Sequence, residues 1–208
     1  WGVELGKKLE ESDEYTRDTY GPWNFCDDDD IKAVIDACDC ENSPLIAVMY
    51  DVGRVNIRKL KPRDQSPMDM IRTACYVHQI DAGLDLVKRC KDLGYETTIN
   101  VMAASAAIET ELIEGLEEIN EAEELDYLYL VDSYGAFYSE QVTYYLELYK
   151  KHAPNKELGF HAHNNQQLAY ANTIEAIIQD ANRLDGSLAG LGRGAGNCQT
   201  ELLIGFLH

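Results

Sequence analysis

Two histidines one residue apart, His161 and His163, close an apolar run and stand just ahead of a helical pattern. Strand side chains alternate with a period of two, so both imidazoles leave the same face at the strand's C-terminal end and could share one divalent ion. Pairing with neighbouring carboxylates is the other use such histidines find. A second feature runs from Asp185 through Gly186-Ser187 into Gly190-Leu191-Gly192-Arg193-Gly194-Ala195-Gly196 and ends on Asn197. Its letters fit G-x-G-x-x-A, but a dinucleotide turn follows the first strand of its sheet, and no acidic partner about 20 residues on falls within the sequence. No G-K-[ST] follows, which excludes a P-loop. The glycines instead let backbone pass close to a ligand and present Asn197 toward the histidines. A third feature, Asp132-Ser133, ends another apolar run: Asp132 could orient a histidine ligand from behind, and Ser133 could hydrogen-bond a substrate carboxylate. Turn chemistry accounts for the same two residues equally well.

These residues need strands to carry them and helices to return the chain. Short apolar runs at 3–6, 45–50, 70–74, 97–102, 127–131, 158–163 and 183–188 alternate with stretches of helical period, the pattern of a parallel sheet with crossovers. Helices are predicted over 139–152, with Val142, Tyr145, Leu146 and Tyr149 on one face, over 168–181, and over 109–124 with a carboxylate-rich outer face. The aspartates at 27–30 belong at the start of a helix leading to Cys38, where they complement its N-terminus. Glu4 and Arg72 interrupt otherwise apolar strands, as the interior of a barrel mouth permits. An interior arginine must be paired, and Glu4 or Asp132 could serve Arg72.

Composition sets the outer bounds. The 208 residues suit one domain. Eighteen basic against 37 acidic residues give a net charge of −19, which disfavours nucleic acid and anionic membrane surfaces as partners. No stretch approaches the roughly 18 apolar residues of a membrane span. Six dispersed cysteines without a paired C-x-x-C read as free thiols of a cytoplasmic protein, the Cys38-x-Cys40 pair included.

Taken jointly, VDSYGAF (131–137), GFHAHNNQQLAYANTIEAI (159–177) and RLDGSLAGLGRGAGN (183–197) resemble, in order and spacing, the DRE-TIM metallolyases. These are metal-dependent TIM barrels that include pyruvate aldolases and hydroxymethylglutaryl-CoA lyases, and the likeness to the 4-hydroxy-2-oxovalerate aldolase branch is strongest. It is marked from about residue 70 to 207 and weaker over 1–50. The resemblance implies an α/β fold, a TIM (β/α)8 barrel covering strand 2 to helix 8, with 1–208 as one catalytic domain. It implies cleavage or formation of a carbon–carbon bond next to a carbonyl, a 4-hydroxy-2-oxo acid giving pyruvate, through a metal-stabilised enolate, and an aldehyde. His161, His163 and Asn197 would hold the metal, Mn2+ or Mg2+, with Asp132 and Asn165 behind them. Ser133 and Arg72 would bind substrate, and Arg72, Ser133 and Glu4 would form the catalytic group. Glu4 matches the strand-2 glutamate that holds the arginine of a strand-1 Arg-Asp pair. The sequence reads as starting at strand 2, so a longer gene is expected. Arg17-Asp18 and Arg63-Asp64, in polar sequence, are not taken for that pair, and His78 is read as a loop residue rather than a catalyst.

Two departures narrow the branch. Arg193 stands where hydroxymethylglutaryl-CoA lyases carry a cysteine, and no lysine lies between 92 and 149 to serve biotin-dependent carboxyl transfer. A Claisen-type acyl-CoA condensing enzyme and a non-catalytic binding barrel stand as alternatives. The expected partners are a small 2-oxo acid and further copies of the chain, with no nucleic acid and no membrane.

Overall fold

A computed structural model of the protein describes residues 2–38 and 44–208. They form two compact units, Trp1–Cys75 with Asp81–Ile99, and Tyr76–Ile80 with Asn100–His208. The first unit holds β1 (Gly2–Lys7), α1 (Arg17–Tyr20), α2 (Asp28–Ala37), β2 (Leu45–Asp51) and β3 (Met70–Tyr76), with α3 (Ile80–Asp92) leading into β4 (Glu96–Met102). β1 pairs parallel with β2, Gly2 opposite Leu45, and β2 with β3, Ala47 opposite Met70. Parallel strands are covered on both faces, which is why these runs are apolar without alternation. Val48 and Ile71 pack with Ile31 of α2, Cys90 of α3 and the rings of Tyr50 and Tyr95 in one cluster. The first turn of α2 carries Asp28, Asp29 and Asp30, favourable beside the unpaired N–H groups there. Arg17 grips Asp30 through both carboxylate oxygens at 2.7 and 2.8 Å.

The second unit continues with α4 (Glu109–Glu121), β5 (Tyr127–Asp132), α5 (Ser139–His152), β6 (Glu157–Ala162), α6 (Ala169–Ile178), β7 (Arg183–Leu184) and α7 (Thr200–Leu207). β5 and β6 are parallel from Tyr127 opposite Glu157 to Asp132 opposite Ala162, and β7 extends the ladder by two residue pairs. Leu128, Leu130 and Phe160 are wholly buried, as are Val142, Leu146 and Tyr149 of α5. α4 turns Leu112, Leu116 and Ile119 inward and leaves Glu111, Glu114, Glu117 and Glu118 exposed, so its acidity is a solvated face.

All seven expected strands are present, with altered ends. α4 stops at Glu121 rather than 124, and α6 spans Ala169–Ile178 rather than 168–181, ended by Asp180 at φ +63°. β7 shrinks from 183–188 to two residues, because Ser187 turns its N–H away to the Cys198 carbonyl at 2.9 Å. β6 stops at Ala162, and His163 forms an antiparallel bridge with Asn197 instead. No helix among the described residues is long and apolar enough to cross a membrane.

Cys26, Cys75, Cys90 and Cys198 are free and buried. Cys38, at the C-cap of α2, corrects the expectation of free thiols throughout: it is disulfide-bonded. Cys40 lies outside the described residues. Burial pushes the thiols of Cys26, Cys75 and Cys90 up to about 12. The folded protein therefore keeps protons that an unfolded chain releases near pH ~8.5. That contribution is complete below pH ~8.5 and is lost as pH rises toward 12. A thiol reagent at pH 8 should find none of these three sulfurs until denaturant is added. The urea midpoint should fall from pH 8.5 to 11, and less steeply in a Cys90→Ala variant; a native-state reaction at the rate of a free thiol would contradict the burial.

Candidate metal centre and active site

Parallel β5 and β6 deliver their last residues side by side, so the chemistry-bearing residues of the second unit gather where these strands end. His161 is the next-to-last residue of β6, and its Nδ1 donates to Asp185 Oδ2 at 2.8 Å. His163 follows β6, and its Nδ1 donates to the backbone carbonyl of Asp132 at 2.9 Å. A carboxylate and a carbonyl only accept, so in both rings the proton sits on Nδ1 and Nε2 is the nitrogen left for a ligand. The ring centroids are 5.0 Å apart with planes at 74°. Burial holds His163 below the usual imidazole range, with a smaller push in the same direction from the charge of Arg193; the Asp132 hydrogen bond opposes it. A neutral ring is the form that ligates.

Asn197 is aligned with His163 by their backbone bridge. Its Nδ2 donates to Ser187 Oγ and to the Leu191 carbonyl, both at 3.3 Å, which fixes the amide. Its Oδ1 is buried and accepts no hydrogen bond. Glycine makes this possible: a Cβ at Gly192 would collide with the Asn197 amide, and one at Gly196 (φ +91°) with the Gly190 carbonyl. The loop is tied to the end of β6 by Asn164, whose N–H donates to the Gly196 carbonyl at 2.8 Å.

Asp132 does not reach a histidine through its side chain, contrary to expectation. Its carboxylate accepts from the N–H groups of Ala136 (3.1 Å) and Phe137 (3.0 Å), closing the turn after β5, and only its backbone orients His163. Ser133 Oγ accepts from the Ala103 N–H at 2.8 Å. Asn165, expected behind the ligands, is exposed, with its amide oxygen lying over Gly135. His78 is exposed and stacks on Tyr76 at 5.8 Å. In the first unit Arg72, 7% exposed, donates to Glu4 Oε2 at 2.8 Å, so of its two expected partners Glu4 is the one found. Asp51 ends β2 nearly buried, paired with Lys7 at 3.3 Å.

Asp185 was not picked out by sequence, because Asp-Gly-Ser reads as a turn; its signal was its place just past a strand adjacent to the H-x-H strand. Among the described residues no group of three His, Cys, Asp or Glu side chains is arranged so that it could hold a metal ion. The donor set this unit offers a cation is therefore two imidazole nitrogens and one amide oxygen, and the orphaned Oδ1 fits that use. Nitrogen and oxygen donors with room for further oxygens suit a divalent ion of the Mg2+, Mn2+ or Zn2+ kind.

The model of the HMGL-like family matches residues 70–208, which carry all of these second-unit groups. The chain belongs to the HMGL-like family. Among curated relatives, it is 37% identical over 177 residues to the 4-hydroxy-2-oxovalerate aldolase of Geobacillus thermodenitrificans, covering 85% of this chain and 50% of the relative. It is 34% identical over 141 residues to the oxaloacetate decarboxylase of Mycobacterium tuberculosis, covering 68% of this chain and 41% of the relative. The chain spans about half the length of the curated relatives it matches. Among solved structures, the N-terminal domain of a proposed aldolase from Bacteroides vulgatus superposes with a TM-score of 0.77 at 28% identity, covering 98% of this chain and 66% of that one. A hydroxymethylglutaryl-CoA lyase from Pseudomonas aeruginosa, at 12% identity, shares the fold with a TM-score of 0.74 over 98% of this chain and 71% of its own. The fold class is thus α/β, that of the TIM (β/α)8 barrels of the HMGL-like enzymes.

A carboxylate behind a metal-ligating histidine fixes its tautomer and strengthens it as a donor. Asp185→Asn should weaken divalent-metal affinity about 10- to 100-fold, while the urea midpoint moves little. Calorimetric titration with Mn2+ checks this, and unchanged affinity would detach Asp185 from the metal.

Proposed function

We propose that the protein is a divalent-metal-dependent carbon–carbon lyase of the aldolase type, acting on a 4-hydroxy-2-oxo acid to give pyruvate and an aldehyde, or running in reverse. The observation that carries this reading is the trio of His161, His163 and Asn197. Two imidazoles are held by Nδ1 with Nε2 spare, and beside them an amide oxygen is buried without a hydrogen bond. The relatives named 4-hydroxy-2-oxovalerate aldolase and oxaloacetate decarboxylase support the same class.

His161, His163 and Asn197 would hold the cation, Mn2+ or Mg2+ by preference. When bound, it supplies Lewis-acid polarisation of the substrate's 2-oxo group, lowering the cost of the negative charge left as the carbon–carbon bond breaks. The chain's own residues do the rest. Asp185 and the Asp132 carbonyl keep the imidazole rings turned to present Nε2. The Ser133 oxygen is held by the Ala103 N–H and keeps its own proton to donate to the substrate carboxylate. In the first unit Arg72 and Glu4 pair as a buried cation and the carboxylate that fixes it. Asp132 and Asn165 support the turns on which the ligands stand. The substrate class is a small 2-oxo acid. The proposed location is the cytoplasm, argued from the four free thiols of Cys26, Cys75, Cys90 and Cys198 against the disulfide at Cys38.

The full-length enzyme should release pyruvate from 4-hydroxy-2-oxovalerate, lose that activity on dialysis against a chelator and regain it with Mn2+ or Mg2+. A His161→Ala/His163→Ala double variant should melt cooperatively yet bind no stoichiometric metal by elemental analysis. Full metal content in that variant, or turnover that survives chelation, ends the reading.

A further inference from the structure

We propose that Arg193 binds the carboxylate of the 2-oxo acid jointly with the Ser133 hydroxyl, so that this site selects acids over neutral 2-oxo compounds. The inference rests on the proposed function and adds a residue to it.

Arg193 stands at the exposed apex of the glycine loop, yet its position is built. Its carbonyl accepts from the Gly196 N–H at 3.1 Å, and the following residue, Gly194, takes φ +63°, a conformation that glycine adopts without strain. From there Nη2 reaches the Ser133 carbonyl at 3.4 Å, tying the loop to the end of β5. A guanidinium has five donors in a rigid fork, and this contact uses one of them.

Its charge is left unneutralised in an acidic chain. Acidic residues outnumber basic ones 37 to 18. Arg17, Arg63, Arg72 and Arg183 each hold a carboxylate. Arg193 holds none among the described residues. It lies instead beside a serine whose oxygen is fixed from the other side by the Ala103 N–H at 2.8 Å, which leaves the hydroxyl proton to be donated outward. A serine O–H and an unneutralised guanidinium anchored to the same residue make a two-donor carboxylate site, and charge assistance makes such hydrogen bonds about twice as strong as neutral ones.

The test uses Mn2+-loaded full-length protein, with pyruvate and its neutral analogue pyruvamide titrated by calorimetry. Arg193→Met should weaken pyruvate about 10- to 100-fold, the loss of a hydrogen bond to a charged group. Pyruvamide affinity should stay within about twofold, and Arg193→Lys should recover part of the pyruvate affinity, since an ammonium keeps the charge but not the fork. Wild-type protein that binds pyruvate while Arg193→Met binds it equally well overturns the role of Arg193 and leaves the functional proposal standing. Equal losses for pyruvate and pyruvamide also overturn it, because they signal a disturbed loop rather than a lost charge. Wild-type protein that binds no pyruvate overturns the functional proposal itself, and this inference with it.

Discussion

The candidate site depends on one hydrogen bond, from His163 Nδ1 to the backbone carbonyl of Asp132. A backbone acceptor cannot rotate or change its charge. The ring it holds is pinned by the sheet itself, since Asp132 is the last residue of β5 and pairs with Ala162 in the β5–β6 register. A strand slip of one residue would invert every side chain and take the acceptor away. Ladder, imidazole orientation and the ligand nitrogen are thus a single constraint. The Asp132 side chain secures the other side of the same turn by binding two N–H groups, which keeps its carbonyl where His163 needs it.

The two histidines are supported differently, and the difference has a consequence. His161 leans on a carboxylate, Asp185, whereas His163 leans on a neutral carbonyl. Burial holds His163 below the usual imidazole range, so in the proposed metal site its ring would stay neutral and open to a cation at lower pH. The Asp185 carboxylate would fix the tautomer of the other ring.

Much of this was legible in the sequence where a single physical signal dominates. Buried parallel strands must be apolar runs, and all seven runs became strands. The inward face of α5 followed from its period, and Ser139–His152 matched to the residue. The H-x-H spacing marked the two imidazoles, which leave one face together because strand side chains alternate with a period of two. What was not legible depended on partners distant in sequence. Arg72 had two carboxylates within its expected reach, and only packing decided for Glu4. Asp132 was expected to act through its side chain but acts through its backbone, which every residue has and no sequence pattern marks. Asp185 sits in a segment whose letters spell a turn, and the shortening of β7 that makes that turn follows from the pull of Cys198 and Gln199 on Ser187.

The glycine loop shows why the asparagine must be where it is. A buried acceptor without a hydrogen bond costs about 1 to 3 kcal/mol, and the Asn197 amide could have relieved it by turning over. It cannot turn: Ser187 Oγ and the Leu191 carbonyl accept from Nδ2, and a flipped amide would set its oxygen against the Leu191 carbonyl, which has no proton to give. Gly192 and Gly196 remove the side chains that would otherwise push the amide aside. The loop therefore spends backbone freedom to hold one oxygen in an unfavourable state, and a cation that accepts that oxygen as a ligand recovers the lost energy on binding. In the proposed metal site, local destabilisation of the loop and affinity for an ion would be two expressions of the same fixed amide.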